Sequence, residues 1–202
     1  MTPLPQRLLV ILDRAACQPR SLQQASDLLL DAGALWWHLR DPAVTPLEWT
    51  ALAEGARQRS VRWRGVVNGG PRWAHELGLG AHLKATQQKD RERRWNLLGR
   101  SVHDLDEVDT ALRDAPDYLV AGPVFPTSCK PQATPIGIEG LRSLIDAAAG
   151  LPVLAIGGIQ PEQVETVLDA GAAGVSIRSG VLAAEDPAAA ARRYLDALPG
   201  DA

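Results

Sequence analysis

One histidine of the chain stands where a proton-transfer group could act, a few residues after a short apolar run. His103 follows Ser101 by two residues, just beyond the apolar residues 97–98. An imidazole titrates near neutral pH, so a histidine in such a place can accept a proton and return it. Taken alone, His103 could be a catalytic residue, or equally a histidine that caps a helix or packs in the core.

Two glycine-containing segments suggest anion binding. Gly157 and Gly158 follow one apolar run, and Ser179 and Gly180 follow the next. Glycine lets the backbone approach a ligand closely, and the N–H groups at a helix start attract an anion. The two segments together predict a phosphate site, although a pair of glycines can also mark only a turn.

A long polar loop at residues 125–131 offers hydroxyls and one cation. Thr127, Ser128 and Lys130 suit a carboxylate or a second phosphate. Long loops in small domains are often functional, and the alternative is a mobile surface loop. Cys129 lies between these residues and is a candidate reactive thiol, although residue types alone do not indicate a lowered pKa.

Short apolar or β-branched runs recur along the chain and predict the strands that position these residues. They comprise residues 8–12, 35–39, 66–67, 81–83, 97–98, 118–121, 153–156 and 175–177, of which 81–83 is the weakest. Helix-start signals stand between them at Ser21 with Gln24, Thr45 with Pro46 and Glu48, Asp104 with Glu107, and Asp186 with Pro187. Helix-stop signals stand at Gly33, Gly78, Gly150 and Gly171.

This alternation predicts the fold class. Strand–helix repetition indicates parallel strands with crossover helices, and nearly continuous apolar strands indicate burial on both faces. Eight such units in 202 residues predict an α/β protein with one (β/α)8 TIM-barrel domain over residues 1–202. An open doubly wound sheet is the alternative.

A barrel would gather the polar residues that follow its strands. The loops after the strands form the active face of such barrels. Arg40, Asn68 and Lys84 therefore become candidate binding residues beside Ser101 and His103.

Charge and composition exclude several function classes. The net charge of −3 leaves no basic surface for nucleic acid. The apolar stretches are shorter than the ~20 residues of a membrane span, and the N-terminus does not read as a signal peptide. Cys17 and Cys129 do not form a disulfide framework or a cysteine metal site, so we expect a cytoplasmic protein. The mixed charges of residues 89–94 predict a solvated helix face.

The motifs together resemble the superfamily of thiamine phosphate synthase and its TenI-type relative, the thiazole tautomerase. The resemblance covers nearly the whole chain, in the family's order and approximate spacing. It is carried by residues 37–40 (WHLR), 67–69 (VNG), 99–103 (GRSVH), 122–125 (GPVF), 127–130 (TSCK), 155–159 (AIGGI) and 179–180 (SG).

Departures from the synthase pattern guide the choice between these two activities. The synthase joins a pyrimidine diphosphate to a thiazole phosphate and uses Mg²⁺ and cations for the leaving pyrophosphate. The family pattern has a metal-binding Asp where Gly69 stands and a second metal carboxylate where residues 84–87 read KATQ. It also has a glutamine where this chain has His38 and a lysine where this chain has Pro42. Because Mg²⁺ prefers carboxylate oxygens, we expect neither a metal nor another cofactor.

The resemblance therefore implies a thiazole tautomerase, an isomerase that aromatises a carboxylated ylidene-thiazole ethyl phosphate by a proton shift. His103 would be the catalytic proton carrier, and the phosphate would bind the backbone of Gly157, Gly158, Ser179 and Gly180. The remaining substrate-binding residues would be Arg40, Asn68, Lys84, Ser101, Thr127, Ser128 and Lys130. The alternatives are the synthase itself and a non-catalytic binder of the thiamine pathway. The expected partner is a small thiazole phosphate, and a homodimer is compatible with the outward helices of a barrel.

Overall fold

The computed structural model describes residues 3–90 and 92–200, and within them a parallel sheet closes on itself. Each strand pairs with the next along the chain, and the first pairs with the last. The strands are β1 (Leu8–Leu12), β2 (Trp36–Leu39), β3 (Arg64–Asn68), β4 (Gly80–Leu83), β5 (Leu98–Val102), β6 (Tyr118–Ala121), β7 (Val153–Ile156) and β8 (Gly174–Ile177). The predicted (β/α)8 barrel is confirmed, and the open sheet is excluded.

Helices lie around the outside of this barrel, after every strand except β4 among the described residues. They are α1 (Arg14–Cys17), α2 (Leu22–Ala32), α3 (Pro46–Arg59), α4 (Arg72–Glu76), α5 (Leu105–Leu112), α6 (Gly137–Ala147), α7 (Val164–Asp169), α8 (Ser179–Leu182) and α9 (Pro187–Ala197). A 3₁₀ turn at Pro161–Gln163 precedes α7. Reciprocal capping boxes at Ser21 and Thr45 begin α2 and α3 as predicted.

The predicted capping box at α5 forms only in part. Asp104 caps the helix by accepting a hydrogen bond from the backbone N–H of Glu107 at 2.8 Å. The Glu107 carboxylate does not accept the reciprocal hydrogen bond from the backbone N–H of Asp104, because it accepts two hydrogen bonds from His103 instead. A residue expected only to begin a helix therefore takes part in the candidate site.

The prediction of a solvated helix face at residues 89–94 is wrong. The described residues between β4 and β5 contain no helix, and Arg91 lies outside them. Arg93 pairs with Asp90 at 3.2 Å within this irregular connection. The segment has charges but no apolar stripe, so it lacks the face by which a surface helix packs on a core.

Strand alternation separates two buried layers. Outward residues such as Trp37 and Leu119 pack with the helices, whereas inward residues such as Trp36 and Tyr118 fill the lower barrel. The rings of Trp36 and Tyr118 meet edge to face, with centroids 4.9 Å apart. Residues two positions further along each strand share the inward side and form the upper end of the barrel.

Among the described residues, no helix combines the length and the apolar character needed to cross a membrane.

Candidate active site

A cavity of about 570 Å³ opens at the carboxyl ends of the strands. Its size falls in the range of small-molecule sites, and its position is the active face of this type of barrel. Every residue predicted for the site lines it, namely Arg40, Asn68, Lys84, Ser101, His103, Thr127, Ser128, Lys130, Gly157, Gly158, Ser179 and Gly180. The structure thus brings these residues together, and their individual roles stay predictions.

Four strands each place one polar residue on the cavity wall, and the residue directly after each strand, two positions further on, is also polar and lines the cavity. The spacing follows from the two-residue period of a strand, which keeps both side chains on the inward side. The pairs are His38 with Arg40, His82 with Lys84, Ser101 with His103, and Ser176 with Arg178.

The cavity floor contains two buried histidines. Nδ1 of His82 lies 3.0 Å from the Tyr118 hydroxyl, and its Nε2 lies 2.9 Å from Oγ of Ser101. The His38 ring lies 4.5 Å from the His82 ring, centroid to centroid. Burial first, and then the positive charge of Arg40, lowers the pKa of His82 to about 3. Both nitrogens of a neutral His82 ring therefore have partners.

His38 is neutral for similar reasons. Burial, then His82 and then Arg40, lowers its pKa well below the usual value, while a contact with Asn68 acts in the opposite direction. Its Nε2 is buried without a protein hydrogen-bond partner among the described residues, and so is Oγ of Ser176. Buried polar atoms are normally paired, so these two atoms are available to a ligand in the cavity they line.

Glycine at position 99 makes the floor possible. A Cβ atom added there would lie 2.1 Å from Cζ of Tyr118 and 2.5 Å from Nδ1 of His82. Both distances are far below van der Waals contact, so any larger residue would displace the Tyr118–His82 pair.

At the rim, His103 links a carboxylate to a lysine. Its backbone N–H and its Nδ1 lie 2.7 and 2.8 Å from the same oxygen of Glu107. A neutral ring that donates Nδ1–H to this carboxylate presents Nε2 as an acceptor. Nζ of Lys130 lies 3.3 Å from that nitrogen and can donate to it.

Cys129 occupies a polar corner of the same rim. Its Sγ lies 3.5 Å from Oγ of Ser179 and 3.4 Å from Nη1 of Arg178. Arg178 is held in place by Asp13, which accepts from Nε at 3.0 Å and from Nη2 at 2.8 Å. Partial burial raises the pKa of the Cys129 thiol, but hydrogen bonds from Ser179, Arg178 and Thr127 outweigh it, so the net pKa is lowered.

The glycine segments after β7 and β8 permit close backbone packing. Gly158 has a φ of +66°, and a Cβ atom there would lie 2.3 Å from the carbonyl oxygen of Pro126. Ser179 and Gly180 form the first turn of α8, where helical N–H groups have no intrahelical acceptor.

A buried arginine fixes the loop that carries Lys84. Arg100 points away from the barrel axis and is 3% exposed. Its Nη2 donates to the carbonyl of Ala85 at 2.8 Å, and its Nη1 pairs with Asp114. The position of the residue next to Lys84 is therefore set by a buried cation.

The donor set beside this loop does not fit a divalent metal. Gly69 and Gln87 stand where the family resemblance implies metal carboxylates, and Nε2 of Gln87 donates to the carbonyl of Gly69 at 2.8 Å. The described residues contain no group of three or more His, Cys, Asp or Glu arranged to hold a metal ion. Mg²⁺ prefers carboxylate oxygens, which neither Gly69 nor Gln87 supplies.

The sequence reasoning missed His82, Tyr118 and Glu107. A usable signal existed for His82, because it precedes Lys84 by two residues as His38 precedes Arg40. Tyr118 lies 36 residues from His82, and sequence spacing alone does not reveal such a contact.

Comparisons with known proteins identify relatives of the chain. A family model described as thiamine monophosphate synthase matches residues 8–181. Curated thiamine-phosphate synthases from Chloroflexus aurantiacus and Moorella thermoacetica are 48% identical over 98 residues and 49% identical over 103 residues. These matches cover 48% and 50% of this chain. They cover 45% and 49% of the two relatives, so the chain spans about half the length of each.

A solved structure matches over a larger part of the fold. The thiamine phosphate pyrophosphorylase from Pyrococcus furiosus is 27% identical, with a TM-score of 0.81. The match covers 96% of this chain and 95% of that chain.

These findings overturn the predicted thiazole tautomerase and its isomerase class. The relatives of 48% and 49% identity are named as thiamine-phosphate synthases, which was the alternative. The absence of two metal carboxylates was therefore a poor guide to the activity. The same cavity is lined by three cationic residues, Arg40, Lys84 and Lys130. Nε2 of His103 lies 3.3 Å from Nζ of Lys130, and the catalytic role predicted for His103 stays a prediction.

Proposed function

The chain belongs to the thiamine monophosphate synthase family, and we propose that it is a thiamine-phosphate synthase, a transferase. It would join an aminopyrimidine methyl diphosphate to a thiazole ethyl phosphate. The thiazole nitrogen forms a bond to the methylene carbon with its lone pair. The bond from that carbon to the diphosphate oxygen breaks, and its electron pair leaves with inorganic pyrophosphate. The coupling moves no proton.

One observation carries the proposal: cations and glycine loops face a single cavity. Arg40, Lys84 and Lys130 line it together with Gly157 and Gly158. The leaving diphosphate gains negative charge as the bond breaks, and prepositioned cations stabilise such charge. A second anion, the phosphate of the thiazole, would bind at the glycine loops.

The floor suits a heteroaromatic ring with a developing positive charge. As the carbon–oxygen bond lengthens, the methylene carbon becomes electron-poor. Because burial lowers the pKa values of His38 and His82, neither imidazole adds a repelling charge. Nε2 of His38 and Oγ of Ser176 would hydrogen-bond the ring nitrogens or the amino group of the pyrimidine.

At the other end, backbone groups would hold the thiazole phosphate. Phosphate commonly binds the loops after the seventh and eighth strands of such barrels. Gly157 and Gly158 follow β7, and Ser179 and Gly180 begin α8 after β8. Thr127 and Ser128 would add hydroxyl donors from the neighbouring loop.

His103 receives a different role from the one predicted. The coupling needs no general base, so His103 would act as a positioning residue that holds the Lys130 ammonium at the cavity. Glu107 would keep the imidazole in the tautomer that accepts from Lys130. Asn68 and Ser101 would contact the pyrimidine beside the floor.

Three organisational predictions accompany this function. We propose that residues 1–202 act as one barrel domain, which the closed ring from β1 to β8 supports. A homodimer and a cytoplasmic location complete the proposal. Its substrates are small phosphorylated molecules rather than nucleic acid.

The proposal is tested by incubating the purified chain with both substrates, once with Mg²⁺ and once with EDTA. Thiamine phosphate and pyrophosphate should appear in equal amounts. Lys130→Ala should lower kcat/KM about 10- to 100-fold, the usual cost of losing a charged hydrogen bond. Arg142→Gln, which removes an exposed charge on α6, is the matched control.

Failure would be unambiguous in this assay. No thiamine phosphate in either buffer would refute the synthase. Tight binding of the thiazole phosphate without turnover would then favour the non-catalytic binder.

A further inference from the structure

Two loops at one end of the cavity are joined by a direct hydrogen bond. Gly69 follows β3, and Gln87 lies in the connection between β4 and β5. Nε2 of Gln87 donates to the Gly69 carbonyl at 2.8 Å, and a Cβ atom added to Gly69 would lie 3.6 Å from Oε1 of Gln87. We call this contact the Gln87–Gly69 clip.

The clip stands where the family resemblance implies two metal carboxylates. The Gln87 side-chain amide is neutral, and one of its two N–H groups donates to the Gly69 backbone carbonyl. The clip therefore provides no anionic oxygen at either position. A divalent cation bound there would lack the ligands that it prefers.

A cation of the chain itself stands beside the clip. The backbone N–H of Lys84 lies 3.5 Å from Oε1 of Gln87, and the Lys84 side chain lines the cavity. The next residue, Ala85, is held by Arg100, whose guanidinium is almost fully buried. The Lys84 backbone is thus held by Gln87 and, through Ala85, by Arg100, and Lys84 lines the same cavity as Arg40.

We propose that this site binds the diphosphate without a divalent metal. The Gln87–Gly69 clip closes the loops that a metal would otherwise bridge, and Lys84 binds the diphosphate oxygens together with Arg40 and Lys130. A lysine ammonium is a compact charge with three donors, which suits phosphate oxygens. The inference rests on the proposed synthase function for its substrate, but it concerns only how the anion is held.

Binding of inorganic pyrophosphate tests the inference directly. Calorimetric titration of the full chain in EDTA and in excess Mg²⁺ should give dissociation constants that agree within about threefold, less than ~1 kcal/mol. Lys84→Met should weaken binding in EDTA about 10- to 100-fold, and Lys84→Arg should restore most of it. Arg142→Gln should leave binding unchanged, because that side chain is exposed on α6 and is not one of the residues that line the cavity.

A gain-of-function pair sharpens the test. Gly69 has a φ of +79°, a region in which Asp and Asn are the best tolerated larger residues, and its surroundings leave room for a side chain. The double variant Gly69→Asp/Gln87→Asp should bind pyrophosphate more tightly with Mg²⁺ than with EDTA. The isosteric control Gly69→Asn/Gln87→Asn should not respond to Mg²⁺.

The outcomes separate this inference from the proposed function. Thiamine phosphate formed only with Mg²⁺, or pyrophosphate bound only with Mg²⁺, would overturn metal independence and leave the synthase intact. No product in either buffer would refute the synthase. Pyrophosphate binding in EDTA that depends on Lys84 would still support the anion site.

Discussion

The hydroxyl of Tyr118 lies 3.0 Å from Nδ1 of His82, beneath the floor of the cavity. On the opposite side of the ring, Nε2 lies 2.9 Å from Oγ of Ser101. A neutral imidazole has one donor and one acceptor nitrogen, and the two hydroxyls can complement either tautomer. Protonation would turn both nitrogens into donors and bury a charge near Arg40, which is why the pKa of His82 falls to about 3.

This buried pair predicts that the fold loses stability in mild acid. A histidine in the unfolded chain has a pKa near 6.5. Between about pH 6.5 and pH 3, His82 is therefore protonated in the unfolded chain but not in the folded protein. Stability is therefore complete above about pH 6.5 and falls with pH through this window, by several kcal/mol for a shift of this size. Urea unfolding at pH 7.5 and at pH 4.5 measures the loss.

The variant His82→Gln isolates the contribution of this ring. Gln keeps a donor and an acceptor but does not titrate, so its stability should depend less steeply on pH than that of the wild type. Tyr118→Phe is the control, because it removes a hydrogen bond and leaves the titrating imidazole in place. Equal pH slopes for wild type and His82→Gln would contradict the buried-histidine explanation.

A second prediction concerns His103 as a positioning residue for Lys130. His103→Ala removes the acceptor at 3.3 Å from Nζ and should lower kcat/KM about tenfold, about 1.4 kcal/mol. The loss should appear mainly in KM for the pyrimidine diphosphate. His103→Gln should restore most of the activity, because an amide oxygen can accept from Lys130.

The pair of variants distinguishes positioning from proton transfer. A residue that carries a proton loses its function in the Gln variant as completely as in the Ala variant. Equal and large losses in kcat for both would therefore contradict the positioning role. Glu107→Gln, which weakens the hold on Nδ1 without touching Lys130, should fall between wild type and His103→Ala.

The barrel could be predicted from sequence because its signals are local and repeated. Apolar runs such as residues 118–121 and 153–156 coincide with β6 and β7 at both ends. Once the barrel is assumed, its geometry places the residues after each strand around one opening. Lys84 and Ser179 therefore line the same cavity despite their separation in sequence.

The contacts inside the site could not be predicted in the same way. Glu107 carries a capping-box signal, and only the folded geometry shows that its carboxylate turns to His103. The activity was mistaken for a related reason. The missing carboxylates at Gly69 and Gln87 show only which ligands are absent. The proposed synthase reaction would depend equally on the cations that remain, such as Lys84, which lines the cavity.

A third prediction concerns the ion pair behind the Lys84 loop. The Asp114 carboxylate is the charged partner of Arg100, whose side chain is 3% exposed. Asp114→Ala should destabilise the protein by about 3 kcal/mol, because it leaves a buried guanidinium without its counter-ion. Chemical unfolding measures this loss.

The double variant Arg100→Met/Asp114→Ala supplies the test of mechanism. Removing both charges abolishes the buried unpaired cation, so the double variant should be more stable than Asp114→Ala alone. It should nevertheless bind pyrophosphate less tightly than wild type, because Ala85 loses the guanidinium that holds its carbonyl. A double variant as unstable as the sum of the two single variants would contradict this account.

The final prediction concerns the unequal reactivity of the two thiols. Cys17 is fully buried, and burial raises the pKa of its thiol to about 11. Cys129 is exposed, and the hydrogen bonds from Ser179 and Arg178 leave it with a lowered pKa. Because the thiolate is the reactive form, iodoacetamide near neutral pH should modify Cys129 and spare Cys17 in the folded protein. Peptide mass spectrometry identifies the modified residue.

Alkylation of Cys129 should also stop turnover, because the added group would project into the cavity that the thiol lines. Inorganic pyrophosphate or the thiazole phosphate should slow the modification if they occupy that cavity. Cys129→Ser should resist inactivation, whereas Cys17→Ser should be inactivated like the wild type. Ser179→Ala, which removes one hydrogen bond to the sulfur, should slow alkylation at a fixed pH. Modification at equal rates in wild type and Ser179→Ala would mean that this hydroxyl does not stabilise the thiolate.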